Sequence, residues 1–174
     1  AKLKPTISLT TSSLKMKAGQ STTAFKAAGL AKGDYITKVT SGNTGIVKVS
    51  SVIKKGTFRL TAGKKAGSTT VKVILASKKS ASFKVTVQRG AVKTSKITVS
   101  TKSVTLKKGT TYRKLASSVK VTPVTSQEKV TYTSSNKKIV TVTSGGVIKG
   151  LKKGTATITI RSGSKRTTCK VTVK

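Results

Sequence analysis

In the stretch Thr155-Ala156-Thr157-Ile158-Thr159-Ile160-Arg161-Ser162-Gly163-Ser164-Lys165-Arg166-Thr167-Thr168-Cys169-Lys170-Val171-Thr172-Val173, both flanks of the polar run 161–168 alternate apolar and polar residues at period two. That spacing belongs to a half-buried β-strand and not to a helix. Ile158 and Ile160 are expected on one face, with Thr157 and Thr159 on the other. Strands are expected at 155–161 and 166–173, punctuated by Gly163. The same pattern recurs earlier, where Val71, Val73 and Leu75 oppose Lys72. Strands wet on one face fit a two-sheet sandwich. Helical periodicity is absent throughout, so the chain reads as all-β.

Self-comparison then divides the chain. Thr6–Gly19 aligns with Lys96–Gly109 at an offset of 90 residues. Three further blocks follow in the same order: Ser41–Val49 with Ser134–Val142, Ala66–Val73 with Lys153–Ile160, and Ser82–Val87 with Thr168–Val173. Four collinear blocks imply two tandem β-sandwich domains, residues 1–90 and 91–174, each of ordinary domain size. In the second copy, strands are expected near 96–100, 103–106, 111–115, 119–122, 129–133, 139–142 and 146–149, before the two quoted above. The first copy carries extra residues within Ser51–Leu60, where alternation around Lys55-Gly56 points to an elongated hairpin.

Composition restricts function more than fold. The 174 residues include 37 Lys and Arg, two acids (Asp34 and Glu128) and no His, giving a net charge of +35. Such charge with modest hydrophobicity is common in disordered chains, but the alternating Val, Ile and Leu argue for strands. General acid/base catalysis draws on His or a tuned carboxylate, glycoside hydrolysis on two carboxylates, and calcium sites on several oxygen ligands. One acid per domain supplies none of these, so no enzymatic activity and no cofactor or metal site are expected. Cys169 is the sole cysteine, so no intramolecular disulfide or cysteine-based metal site can form. It aligns with Phe83 and reads as a core residue. No apolar run reaches 18 residues, so no membrane-inserted helix is expected. The chain opens inside a strand approach, Ala1-Lys2-Leu3-Lys4-Pro5, as expected of a fragment of a longer protein with flanking domains.

The run Tyr132-Thr133-Ser134-Ser135-Asn136-Lys137-Lys138-Ile139-Val140-Thr141-Val142, followed by Gly146-Val147-Ile148-Lys149-Gly150 and Lys153-Gly154-Thr155-Ala156-Thr157-Ile158, resembles the bacterial immunoglobulin-like domain of group 2. The second copy matches over most of its length. The first matches in skeleton, with Val39 before Thr40-Ser41-Gly42-Asn43. The resemblance implies an Ig-like sandwich in a secreted or surface-anchored bacterial protein, serving as a stalk, an adhesin module or an accessory to extracellular enzymes. The family shares no catalytic site and no ligand, so it assigns no functional residue.

Binding candidates therefore come from charge. Lys pairs fall at turns: Lys54-Lys55, Lys64-Lys65, Lys107-Lys108, Lys137-Lys138 and Lys152-Lys153, with Lys78-Lys79 in addition. Sandwich loops gather at two ends, so some pairs are expected to converge into a polyanion-binding patch. The plainer reading is solvated turns. The expected partner is an anionic cell-envelope polymer or an acidic glycan. Nucleic acid is expected to bind only non-specifically, because no recognition motif accompanies the charge. Six aromatics are present, and a sugar platform would use Tyr35, Phe58 or Tyr112 on exposed loops. Asp34 and Glu128 are each expected to pair with a nearby Lys. Two functions stay open: an adhesion or attachment module that binds through its basic surface, and a structural spacer whose charge confers solubility.

Overall fold

The structure, a computed structural model, describes residues 7–9, 11–23, 27–50 and 57–174. The chain divides into two compact units, Ala1–Val92 and Lys93–Lys174. Unit 1 contains β1 (Ser8–Leu9), β2 (Ser13–Lys17), β3 (Ser21–Thr22), β4 (Ala27–Ala28), β5 (Ile36–Ser41), β6 (Val47–Val49), β7 (Leu60–Ala62), β8 (Gly67–Leu75) and β9 (Ser80–Gln88). Unit 2 contains β10 (Lys96–Val99), β11 (Ser103–Leu106), β12 (Thr111–Tyr112), β13 (Val119–Thr122), β14 (Val130–Ser134), β15 (Val140–Val142), β16 (Ile148–Gly150), β17 (Gly154–Ser162) and β18 (Lys165–Val173). Among the described residues, a 3-10 turn at Ala116–Ser118 is the one helical element.

Unit 1 builds a four-stranded sheet β2-β9-β8-β5, a three-stranded sheet β3-β7-β6 and the pair β1-β4. Unit 2 repeats the same order nine labels later, as β11-β18-β17-β14, β12-β16-β15 and β10-β13. Even the one parallel contact recurs. Leu14 pairs with Val85 and Met16 with Val87 in the first unit; Val104 pairs with Val171 and Leu106 with Val173 in the second. The repeat seen in the residues is thus a repeat of strand order and direction.

Alternation explains the two cores. Along β17, Ala156, Ile158 and Ile160 are buried while Thr155 and Arg161 are exposed. Cys169, Val171 and Val173 of β18 meet them, and Val140 and Ile148 close the space from the three-stranded sheet. Unit 1 repeats this arrangement with Val71, Val73, Leu75, Phe83, Val85 and Val47. Cys169 is fully buried, and that burial pushes its thiol above the ordinary value. It packs as a small hydrophobe, as its alignment with Phe83 implies.

Several local expectations are corrected. Phe58, placed on an exposed loop by the sequence reading, is fully buried, and its ring lies 6.3 Å from that of Phe83. Tyr112 is half-buried against the second core. Val49 and Val142, the last residues of β6 and β15, and Ile7, just before β1, are only partly buried and pack against the cores. Residues 113–115 do not extend β12; the chain turns there into the 3-10 element. The hairpin expected around Lys55-Gly56 lies outside the described residues.

Among the described residues, neither acid pairs with a lysine as expected. Asp34 precedes β5 and accepts hydrogen bonds from the Ser77 hydroxyl (2.7 Å), the Ser77 N–H (3.2 Å) and the Tyr35 N–H (3.0 Å). It thereby fastens the β8–β9 hairpin to the strand before it. The Ser77 hydroxyl is the largest cause holding this carboxyl below its ordinary value. A depressed folded value means that the latch is fully present above the unfolded value of about 3.9. It is lost as pH falls through the lower folded value. The Ser77 amide should therefore keep its chemical shift and slow hydrogen exchange down to below pH 4, and both should change with the Asp34 titration. Asp34→Asn should abolish that acid transition. A Ser77 amide that follows the same transition in the variant would contradict the latch.

Candidate cation cluster and sheet face of the second unit

The turns of unit 2 decide where its lysines go. Asn136 shapes the β14–β15 connection: its side-chain oxygen accepts from the Lys138 N–H (3.0 Å), and its carbonyl accepts from the N–H groups of Ile139 (3.2 Å) and Val140 (3.0 Å). Lys137 and Lys138 are left exposed in the middle of that turn. After β11, Thr110 donates its N–H to the Lys107 carbonyl (3.1 Å), and Gly109 adopts a φ of 83°, like its unit 1 counterpart Gly19 at 77°. Positive φ at the third position of a four-residue turn is the type II pattern that glycine serves. Lys107 and Lys108 are therefore exposed beside it. Lys152 and Lys153 occupy the turn between β16 and β17, also exposed.

These three turns are tied to one another through the backbone. The Gly109 N–H donates to the Gly150 carbonyl (2.8 Å), and the N–H groups of Leu151 (2.8 Å) and Lys152 (3.3 Å) donate to the Ile139 carbonyl. The Lys108 N–H donates to the Lys174 carbonyl (3.1 Å). Seven ammonium groups, on Lys107, Lys108, Lys137, Lys138, Lys152, Lys153 and Lys174, thus share one end of the unit. Register places the unit's single acidic side chain at the other end. Val130 pairs with Ser162 there, whereas Ser134 pairs with Ile158 toward the lysine end.

At that opposite end, hydroxyls close a ring on Glu128. Its N–H donates to Ser126 Oγ (3.3 Å), and Ser162 Oγ donates to its carbonyl (3.2 Å). Thr94 Oγ1 lies 2.8 Å from Ser126 Oγ and 2.7 Å from Ser162 Oγ. One hydrogen-bond direction satisfies every member: Glu128 N–H to Ser126, Ser126 to Thr94, Thr94 to Ser162, and Ser162 to the Glu128 carbonyl. Each hydroxyl then donates once and accepts once. The Glu128 carboxylate accepts from the Thr94 N–H (2.7 Å).

The remaining lysine candidates belong to unit 1. Lys64 and Lys65 are exposed between β7 and β8 in unit 1, at the end where the Gly19 N–H donates to the Gly63 carbonyl (3.2 Å). The neighbouring turn Asn43–Ile46 carries no lysine. Lys54 and Lys55 lie outside the described residues. Tyr35 is exposed, but Phe58 is core and Tyr112 half-buried, so these three form no aromatic platform.

A feature missed from sequence lies on the outer face of the four-stranded sheet of unit 2. Arg161 on β17 stands directly opposite Arg166 on β18, and Thr131 of β14 stands opposite Arg161 on its other side. A shallow groove of about 300 Å³ runs over this face, lined by Thr131, Thr133, Ser134, Ser135, Thr159, Arg161 and Arg166. The signal was the two-residue connection Gly163-Ser164: glycine at the first central position, and there alone a positive φ (55°), is the II′ hairpin pattern. That turn fixes the register, so it also fixes the arginine pair.

Both units are immunoglobulin-like β-sandwiches. Within the chain, residues 93–173 match the family model described as bacterial Ig-like domain (group 2). Comparison with curated proteins gave no match. Among solved structures, the chain is similar to domains 5-6 of the S-layer protein SbsC, at 23% identity over 97% of this chain and 96% of that one, with a TM-score of 0.46. It is also similar to SbsC domains 4 and 5, at 25% identity over 78% of this chain and 74% of that one, with a TM-score of 0.41. Against the longer S-layer protein rSbsC(31-844), the identity is 23% and the TM-score 0.41; 86% of this chain is covered, and it spans 22% of that chain's length.

Proposed function

We propose that this chain is a non-catalytic attachment module of a bacterial surface protein, and that unit 2 binds anionic surface polymers through its lysine end. The observation that carries the reading is the convergence of three Lys pairs, far apart in sequence, on backbone-linked turns remote from the unit's only acid. The match of residues 93–173 to a bacterial Ig-like family supports placement outside the cell. Among the described residues, no helix is long and apolar enough to cross a membrane, and no group of three or more metal-ligating side chains occurs. Lys is a compact point charge that suits diffuse attraction to a flexible polyanion. Clustered ammonium groups release condensed counterions on binding, so affinity falls with salt. Screening over about 8 Å at physiological ionic strength leaves neighbouring lysines coupled and isolates distant ones.

The test is a salt series with a polyglycerol-phosphate polymer of the teichoic type. Reversing Lys137, Lys138, Lys152 and Lys153 to Glu should lower the low-salt affinity by about tenfold or more and flatten the salt slope. Reversing the dispersed Lys102, Lys120, Lys129 and Lys165 should do clearly less. Equal losses from both sets would reduce the surface to undirected charge, and no binding at any salt would leave the spacer role.

A further inference from the structure

The structure assigns a second, more selective anion site to the outer face of unit 2: Arg161 and Arg166, flanked by threonine hydroxyls, form a receptor for the carboxylate of an acidic saccharide. Directly opposed residues on antiparallel strands hold their Cβ atoms about 5 Å apart, and like charges so placed repel. The fold does not require this cost. The corresponding pair in unit 1 is Ile74 opposite Ser80, on the same strands of the same sheet. Both arginines are exposed, and neither guanidinium makes a hydrogen bond or ion pair with another described residue. An oxyanion seated between them would turn repulsion into paired charge-assisted hydrogen bonds.

The surroundings choose among anions. Two planar guanidiniums match the planar, two-oxygen geometry of a carboxylate. Thr131, Thr133 and Thr159 surround the pair on the same face and line the same groove. Their hydroxyls both donate and accept, as do those of a sugar ring. Nucleic acid fits less well, since single-strand binders stack bases on aromatics. The nearby aromatic, Tyr132, alternates to the opposite side and packs against the core. The proposal deepens the attachment reading and shares its ligand class, but rests on different residues from the lysine end.

The experiment uses the full 174-residue chain at 150 mM salt, with tetragalacturonate as probe. Wild-type protein should bind, with shift changes at Arg161, Arg166 and Thr159 by NMR. Arg161→Lys/Arg166→Lys keeps the net charge but removes the forks, and should weaken binding about tenfold. Lys102→Glu/Lys120→Glu, outside both the groove and the lysine end, should change it less than twofold. In the absence of ligand, Arg166→Thr should raise the melting temperature by relieving repulsion. A double-lysine variant that binds as well as wild type would overturn the site while leaving the lysine-end reading intact. So would tighter binding of a neutral galactose tetramer or of oligo(dT), or a lowered melting temperature for Arg166→Thr. A wild-type chain that binds tetragalacturonate but shows no salt-dependent binding of the glycerol-phosphate polymer would reject the lysine end alone.

Discussion

Phe58→Ala is expected to remove about 3–5 kcal/mol from the stability of unit 1, the range for deleting a large aromatic from a packed core. The residue is fully buried, and its ring packs in a tilted arrangement on Phe83 from the neighbouring sheet. Truncation would forfeit the transfer of the ring and leave a cavity bordered by the same core cluster as Leu60, Val47 and Met16. Urea denaturation followed by tyrosine and amide signals should report the loss in unit 1, with the unit 2 signals unmoved because their core is a separate cluster. Tyr35→Ala serves as the control: that side chain is 62% exposed, and its removal should stay within about 0.5 kcal/mol. Equal, small effects from both substitutions would contradict the packing described for Phe58.

The second large effect is expected at Thr94. Thr94→Val keeps the side-chain shape and removes the hydroxyl that links Ser126 to Ser162. Ser162 is fully buried and Thr94 is 5% exposed, so water cannot replace the lost partner there. An orphaned buried polar group costs about 1–3 kcal/mol, and breaking the ring strands a donor on one side and an acceptor on the other. The expected loss is therefore about 2–4 kcal/mol. Thr94→Ser restores the hydroxyl and should recover most of it, leaving only the missing methyl. If valine were tolerated as well as serine, the hydrogen-bond ring would have no energetic weight.

The sequence reading failed at Phe58 for a physical reason. It follows the Lys55-Gly56 turn signal of the expected hairpin, and a lone aromatic between Thr57 and Arg59 beside such a turn looks like a loop residue. Its burial depends on β7 pairing with β6 and presenting Leu60 and Ala62 to the same core. The acids failed in a similar way. Among so many lysines, charge pairing is the natural expectation, yet short carboxylates next to turns were captured by backbone N–H and serine groups that the fold brings closer. By contrast Cys169 was legible, because its position in the strand pattern and its alignment with Phe83 both mark an inward site.

What the residues determined by themselves was everything carried by short period or by composition. Alternation defines strands because successive side chains point to opposite faces, and the collinear blocks translate into the same strand order in both units. The lack of His and the two lone acids narrowed the chemistry without reference to any fold. Tertiary structure alone decided which distant residues share a place. The three lysine turns come together because β11, β14, β16 and β18 all end at one pole of the sandwich, and β15 and β17 begin there. Arg161 faces Arg166, and Ser162 reaches Thr94, through the register of a hairpin and the entry path of the chain. A one-residue slip in that register would move each of these groups to the other face, so their proximity is a property of pairing between strands and not of any segment read alone.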